Sequence, residues 1–425
     1  ITRSQGGTVH IGLVSATFDA DVVNGALQMV HLYRIYLEAR GHQVTVFALG
    51  ERPGTDAATG VVRSPGLPLG DFGYYAGLGY TPEAQQLLAT ADIVHCHHLV
   101  MSLELAHRYA DAPIVYTNHT RYDLYTGTYA HLPQPMADAI MRYAWPHYTD
   151  MADVVIAPSV GLHRVMDGFG VRTPMAVIEN GIELQPFISP ERPLSKAALN
   201  VPADAVLAVY CGRLSAEKNV ERLLHIFAQA AKRQDDLHLM LIGKGPLEAE
   251  LKQLAVQYAL TDRVQFIGAV PNAEVANYLA AADLFITAST SEVHPLTVIE
   301  ALAAGLPVIA FRSPGMDETV DSGETGILVD TADEDFIDAL LMLAGDSDRR
   351  KDMGIAAQVA SLRYDINRTV DRTLALYDDL LTRRPDKTRT DPHGKWRRRA
   401  MNWESRWTGL NHLGWGVSSG EKISP

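Results

Sequence analysis

Residues 291–310 read SEVHPLTVIEALAAGLPVIA, and this stretch decides the fold of the chain around it. Glu292 ends a loop that follows the apolar run DLFITAS. Pro295 stands where a helix opens, as proline does at first helical positions. Gly305 marks the end of that helix, Pro307 follows, and the apolar run VIAF begins a new strand. Glu300 lies about one turn inside the helix. Free N–H groups at a helix start, with the helix dipole behind them, can hold a diphosphate. Pro295 has no N–H, so Leu296 and Thr297 are the expected donors. Carboxylates before the helix and one turn within it can accept hydrogen bonds from sugar and ribose hydroxyls. Two acids at a phosphate site need a basic partner.

Residues 207–219, LAVYCGRLSAEKN, supply that partner. A strand ends near Cys211, Gly212 turns, and Arg213 and Lys218 precede the helical pattern VERLLHIFAQA. Two cations at a strand mouth can neutralise a nucleoside-diphosphate leaving group, and such pre-placed charge is often the largest catalytic contribution.

Working outward, short apolar runs alternate with helical patterns. HIGLVSA, QVTVFAL, DIVHC, PIVYT and DVVIA read as buried parallel strands, with helices near Ala26–Arg40 and Pro135–Ala152 between them. The proline-rich stretch 186–204 reads as a linker. A second series follows in VLAVY, LHLMLIG, VQFIG, LFITA, PVIAF and GILV. The expectation is α/β, two doubly wound domains facing a cleft. Their limits are 1–185 and 186–364, then a returning helix at 365–385 and a tail at 386–425.

In order along the chain, the carrying residues are Gly25 in VVNGA, His119 in YTNHT, Glu179–Ile182 in VIENGI, Arg213 and Lys218, Gly243 to Pro246 in LIGKGP, Gly268 in FIGAVP, and the Glu292–Glu300 pair. This ordered set resembles family 4 of the retaining glycosyltransferases, which have the two-domain GT-B fold. The resemblance spans roughly residues 10 to 380. It implies that the C-terminal half binds a nucleotide-sugar donor, with UDP-glucose the leading choice, and that the N-terminal half binds the acceptor. It implies catalytic roles for His119, Arg213, Lys218 and Glu292, and ribose binding by Glu300. Gly25, Gly243, Val270, Leu296 and Thr297 would line the donor through their backbones. No metal and no further cofactor is expected. YTNHTRYDLYTGTYAHL and VIAPSVGLHRVMDGFGV resemble the branch that glycosylates diacylglycerol, and Tyr122, Tyr125 and Tyr129 stand where an acceptor would enter. A soluble sugar or small-molecule acceptor is the alternative. A UDP-sugar epimerase on the same fold is the rival of another class.

Asp19-Ala20-Asp21 matches the D-x-D pattern of metal-dependent transferases, but it is short and lies in the first strand–helix loop. His95, Cys96, His97 and His98 look like metal ligands. Alternate strand residues point to opposite faces, so the four cannot converge on one ion. His97 or His98 is instead expected to line the acceptor side.

Composition fits two ordinary domains: 425 residues, 47% hydrophobic. No apolar run reaches the ~20 residues needed to span a bilayer. Cys96 and Cys211 fall in different halves, so a reducing, cytoplasmic setting is expected rather than a disulfide. The chain opens on Ile1, which leaves the native start open, and nothing near it resembles a signal peptide. Net charge is −13. Residues 383–407 hold nine Lys or Arg against three Asp or Glu, a surplus of six that leaves the rest near −19. Nucleic acid is therefore not an expected partner. Trp396, Trp403 and Trp407 share one helical face beside Arg397, Arg398 and Arg399. That tail suits peripheral contact with an anionic membrane, each cation adding ~1 kcal/mol. Packing against the acidic body is the alternative.

Overall fold

The computed structural model describes residues 7–18, 24–56, 59–69, 74–77 and 79–383. Asp19-Ala20-Asp21 and the tail at 386–425 lie outside them.

Ten strands belong to the first half. They are β1 (His10–Val14), β2 (Gln43–Gly50), β3 (Gly54–Asp56), β4 (Val61–Pro65), β5 (Leu67–Leu69), β6 (Tyr74–Ala76), β7 (Ile93–Cys96), β8 (Ile114–Thr117), β9 (Val154–Ala157) and β10 (Met175–Val177). Six follow in the second half: β11 (Val206–Cys211), β12 (Leu237–Ile242), β13 (Val264–Gly268), β14 (Leu284–Thr287), β15 (Val308–Phe311) and β16 (Gly326–Val329). The first sheet runs β10-β9-β8-β7-β1-β2-β4-β3, and the second β13-β12-β11-β14-β15-β16. Every pairing is parallel except β3–β4 and the small β5–β6 hairpin. Parallel strands buried on both faces explain the unbroken apolar runs of the sequence.

Each sheet reverses its winding once. In the first, the crossing lies between β1 and β7; in the second, between β11 and β14. Loops diverge at such a crossing and leave a crevice beyond the strands' C-terminal ends. In the first half, the loop after β1 leads to Gly25 and the loop after β7 carries His97 and His98. In the second, the loop after β11 carries Arg213 and Lys218, and the loop after β14 carries Glu292.

The helix Ile366–Arg383 returns to the first half. Its Thr373 hydroxyl meets that of Tyr33 at 3.1 Å, and its Tyr377 hydroxyl meets His95 Nδ1 at 2.6 Å. Val370 and Tyr377 are buried in one apolar cluster with Leu27, Tyr33 and Leu37. The segment between the sheets is partly structured, with short helical turns at Gln185–Ile188 and Ala197–Leu199. Among the described residues, no helix is long and apolar enough to cross a membrane.

Candidate active site

The helix foreseen in the opening stretch runs Leu296–Ala303, with Pro295 as its N-cap in extended backbone. Gly305, at φ +75°, ends it, and Leu306 N–H donates back to Ala301 O at 2.9 Å. Only a residue without Cβ takes that turn cheaply. Leu296, Val298, Ile299, Ala301, Leu302 and Ala303 are all buried, which fixes the helix start in place.

Glu292 and Lys218 meet there. Lys218 Nζ donates to Glu292 Oε1 at 2.6 Å, with the two side chains 22% and 14% exposed. The sequence assigns Lys218 to phosphate and Glu292 to sugar; in the structure each holds the other. Burial works against the Lys218 charge, but Glu292, Tyr125 and Tyr210 together hold its pKa above the ordinary range. The ammonium is therefore fully present at neutral pH. Asn219, at φ +52°, turns the chain after Lys218, and its side-chain amide donates to Ala288 O at 3.1 Å, tying this loop to the one after β14.

The loop of Arg213 is held from below. Tyr210 OH donates to Arg213 O at 2.9 Å, and Leu214 N–H donates to Lys244 O at 3.0 Å. Gly243 has φ +135°, and a Cβ there would lie 1.9 Å from Gly212 O. Gly243 thus serves close backbone packing under the Arg213 loop. Val270 lies beyond β13, in the loop that begins at Gly268, whose carbonyl accepts from Gly243 N–H at 2.8 Å.

The first half closes over this surface. Tyr74 lies at Arg213, and Tyr129 at Glu217. Tyr125 lies among Lys218, Glu217 and Glu292. Tyr122 departs from expectation. Its hydroxyl accepts from Leu99 N–H at 3.1 Å and its ring packs edge-on against Trp145, so it braces the domain and does not line the cleft. Gly25 lies against Leu296, with 3.5 Å from a built Cβ to Leu296 Cδ1. Two helix starts therefore face each other across the cleft.

Glu300 is 2% exposed and accepts from Gln28 Nε2 at 2.9 Å. Burial pushes its pKa up to about 7, with the Gln28 contact pulling the other way. Because the folded pKa lies above the unfolded one, the contribution to stability is complete below about pH 4.5 and fades as pH rises through about 7. Urea midpoints taken from pH 5 to 7.5 should fall in the wild-type protein. Glu300→Gln should flatten that slope, and an unchanged slope would exclude Glu300 as its source. Nothing in the sequence marked Gln28, Tyr74 or Glu217.

His119 follows β8 and stacks on His97, rings 5.3 Å apart at 11°, with His119 Nε2 and His97 Nδ1 at 3.0 Å. Burial, then His98 and His95, lower the His119 pKa to about 3, so the ring is neutral. His95 and His97 share one face of the sheet, 4.2 Å apart, while Cys96 Sγ on the other face donates to Ser102 O. His97 and His98 are nearly inaccessible, at 1% and 8% exposure. Both cysteines are free thiols.

Comparison with known proteins agrees with this geometry. The family described as Glycosyltransferase Family 4 matches residues 23–186, and Glycosyl transferases group 1 matches residues 191–359. Alpha-monoglucosyldiacylglycerol synthase of Streptococcus pneumoniae is 29% identical over 334 residues, 75% of each chain. A D-inositol 3-phosphate glycosyltransferase of Arthrobacter is 30% identical over 301 residues, 67% of this chain and 70% of the relative. The structure of a sucrose-phosphate synthase from Thermosynechococcus elongatus shares the fold, with TM-score 0.70 at 22% identity over 88% of this chain and 99% of that one. The two facing crevices and these relatives lead to one assignment: the chain belongs to family 4 of the GT-B glycosyltransferases, enzymes that use nucleotide-sugar donors.

Proposed function

We propose that this enzyme transfers glucose, with retention at the anomeric carbon, from UDP-glucose to the free hydroxyl of diacylglycerol. The observation that carries the reaction is the ion pair of Lys218 with Glu292, four residues ahead of the helix start at Leu296, with Tyr125 near both and near Arg213. A diphosphate bound there draws Lys218 from Glu292 and frees the carboxylate for sugar hydroxyls. Glu300 exchanges Gln28 for the ribose. His119 orders the reacting end of the sugar. The acceptor hydroxyl attacks C1 from the face the diphosphate leaves. The anomeric C–O bond breaks, a departing phosphate oxygen takes the hydroxyl proton, and glucosyl-diacylglycerol and UDP result. The closed cleft keeps water from the donor. Metal independence belongs to the same proposal.

The lipid acceptor is supported by the pneumococcal relative and by an exposed apolar stripe. On the helix Gln134–Thr149, Met136, Ile140 and Tyr143 are 53%, 38% and 52% exposed and share one face. Leu67 and Leu69 are likewise exposed on the hairpin that bears Tyr74. Such a surface suits peripheral contact with a bilayer, to which the basic, tryptophan-rich tail would add. The inositol-phosphate relative favours a second reading, a soluble acceptor.

Product formation from UDP-glucose decides between them, with diacylglycerol in mixed micelles beside a panel of soluble acceptors. A new glycolipid is expected; turnover with soluble acceptors alone would overturn the lipid reading. Changing Met136, Ile140 and Tyr143 together to serine should lower the rate on liposomes about tenfold, the loss of a few kcal/mol of apolar contact being shared with the tail. The rate with short-chain diacylglycerol in solution should stay the same.

A further inference from the structure

Among the described residues, the acceptor half contains buried polar atoms without a hydrogen-bond partner. At the crossing between β1 and β7, Ala16 N–H donates to His98 Nδ1 at 3.1 Å, and Ser15 Oγ lies 3.4 Å from the same nitrogen. A nitrogen that accepts from a backbone N–H carries no proton. Burial lowers the His98 pKa to about 4, so the ring is neutral and its one proton sits on Nε2. That Nε2–H is buried and, among the described residues, has no hydrogen-bond partner. Thr17 Oγ1 is in the same position, on the turn whose carbonyl accepts from Ser15 Oγ. Orphaned buried N–H groups are rare, and leaving one unpaired typically costs ~1–3 kcal/mol.

Their surroundings say what should complete them. The Tyr74 ring covers His98 edge-on at 5.4 Å, and the Tyr74 hydroxyl lies at Arg213, the cation assigned to the leaving diphosphate. The unused donor therefore lies on the acceptor side, one aromatic ring from the donor phosphates.

We propose that His98 Nε2–H and Thr17 Oγ1 form a subsite for an acceptor oxygen in the group carried by the carbon next to the attacked hydroxyl. The inference rests on the lipid reading for its ligand. In diacylglycerol this oxygen is the neighbouring ester carbonyl, and in a soluble polyol it is the neighbouring hydroxyl. Either accepts the imidazole proton. His98 thereby becomes a specificity-determining residue of the acceptor half and has no part in donor binding.

The test compares diacylglycerol with its dialkyl ether analogue, which lacks the carbonyl, in the same micelles. Wild-type enzyme should favour the ester by about tenfold in kcat/KM, the worth of one lost hydrogen bond in a buried site. His98→Phe should remove that preference and leave the UDP-glucose KM unchanged. His98→Gln, with an amide N–H of similar reach, should restore part of it. Equal use of ester and ether by the wild-type enzyme, which requires no variant to fold, would overturn the ester subsite. If the wild-type enzyme glycosylates no lipid, the lipid reading fails by itself. His98 is then judged on the soluble acceptor that does turn over. A raised acceptor KM at constant donor KM in His98→Phe supports the subsite, and an unchanged acceptor KM rejects it.

Discussion

Replacing Lys218 with alanine lowers kcat by about 10³-fold, the scale seen when one preorganised group facing developing charge is removed. The lysine occupies a short 3-10 turn directly before the helix Val220–Ala231, and its ammonium lies 2.6 Å from Glu292. Without it, the leaving diphosphate loses a charge that was already in place, and Glu292 keeps its own charge in a largely closed site. The donor then meets an uncompensated carboxylate, so its KM rises as well. Part of the damage is structural, because stranding one member of a partly buried pair destabilises the fold. The double variant Lys218→Ala with Glu292→Gln separates the two effects. It should regain most of the thermal stability while kcat stays at the level of the single variant. Lys218→Arg should not rescue turnover, since a planar guanidinium does not fit where a compact ammonium sits. Steady-state kinetics with saturating donor, beside thermal unfolding of each variant, reads the outcome. A single variant with wild-type kcat would remove Lys218 from leaving-group stabilisation.

Gly243→Ala is the second large effect, and here the backbone is the cause. The position has φ +135°, a conformation costing an L-residue ~1–3 kcal/mol. The new methyl would also lie 1.9 Å from Gly212 O, with no flexible side chain to give way. Overpacking of this kind adds another ~1–3 kcal/mol. The total, about 4 kcal/mol, is a large part of the stability of an ordinary domain. What moves is the Gly212–Arg213 turn, so UDP affinity falls together with stability. Gly268→Ala is the control. Its φ is +83°, but its nearest neighbour is the flexible Lys244 Cε at 3.6 Å, so only the backbone strain remains. Calorimetric unfolding and UDP titration of the two variants should show the first losing both properties and the second losing a smaller share of stability. Equal losses would mean that the Gly212 contact relaxes freely.

Where strands and helices fall was largely legible in the sequence, because those signals are local. LFIT and VIAF are apolar runs of strand length, and Pro295, Gly305 and Pro307 bracket the helix Leu296–Ala303 between them. Among the strands, the five that the pattern did not mark are Gly54–Asp56, Val61–Pro65, Leu67–Leu69, Tyr74–Ala76 and Met175–Val177, four of them only three residues long. Runs this brief carry too little alternation to be told from loop, and they form because neighbouring strands offer them hydrogen bonds.

The partners of the site residues were another matter. The sequence placed a carboxylate at 292, a carboxylate at 300, cations at 213 and 218, and a histidine at 119. It did not say that Lys218 would meet Glu292 across 74 residues, Gln28 meet Glu300 across 272, or His97 meet His119 across 22. Those meetings follow from strand order. Placing β11 beside β14 brings two distant loops to one crevice, and placing β1 beside β7 seats His98 against Ala16. Backbone propensity acts over a few residues and is written in the local sequence. The choice of partner for a charge or an imidazole depends on what the packed sheets bring within about 3 Å of it, and that is fixed only when the whole chain has folded.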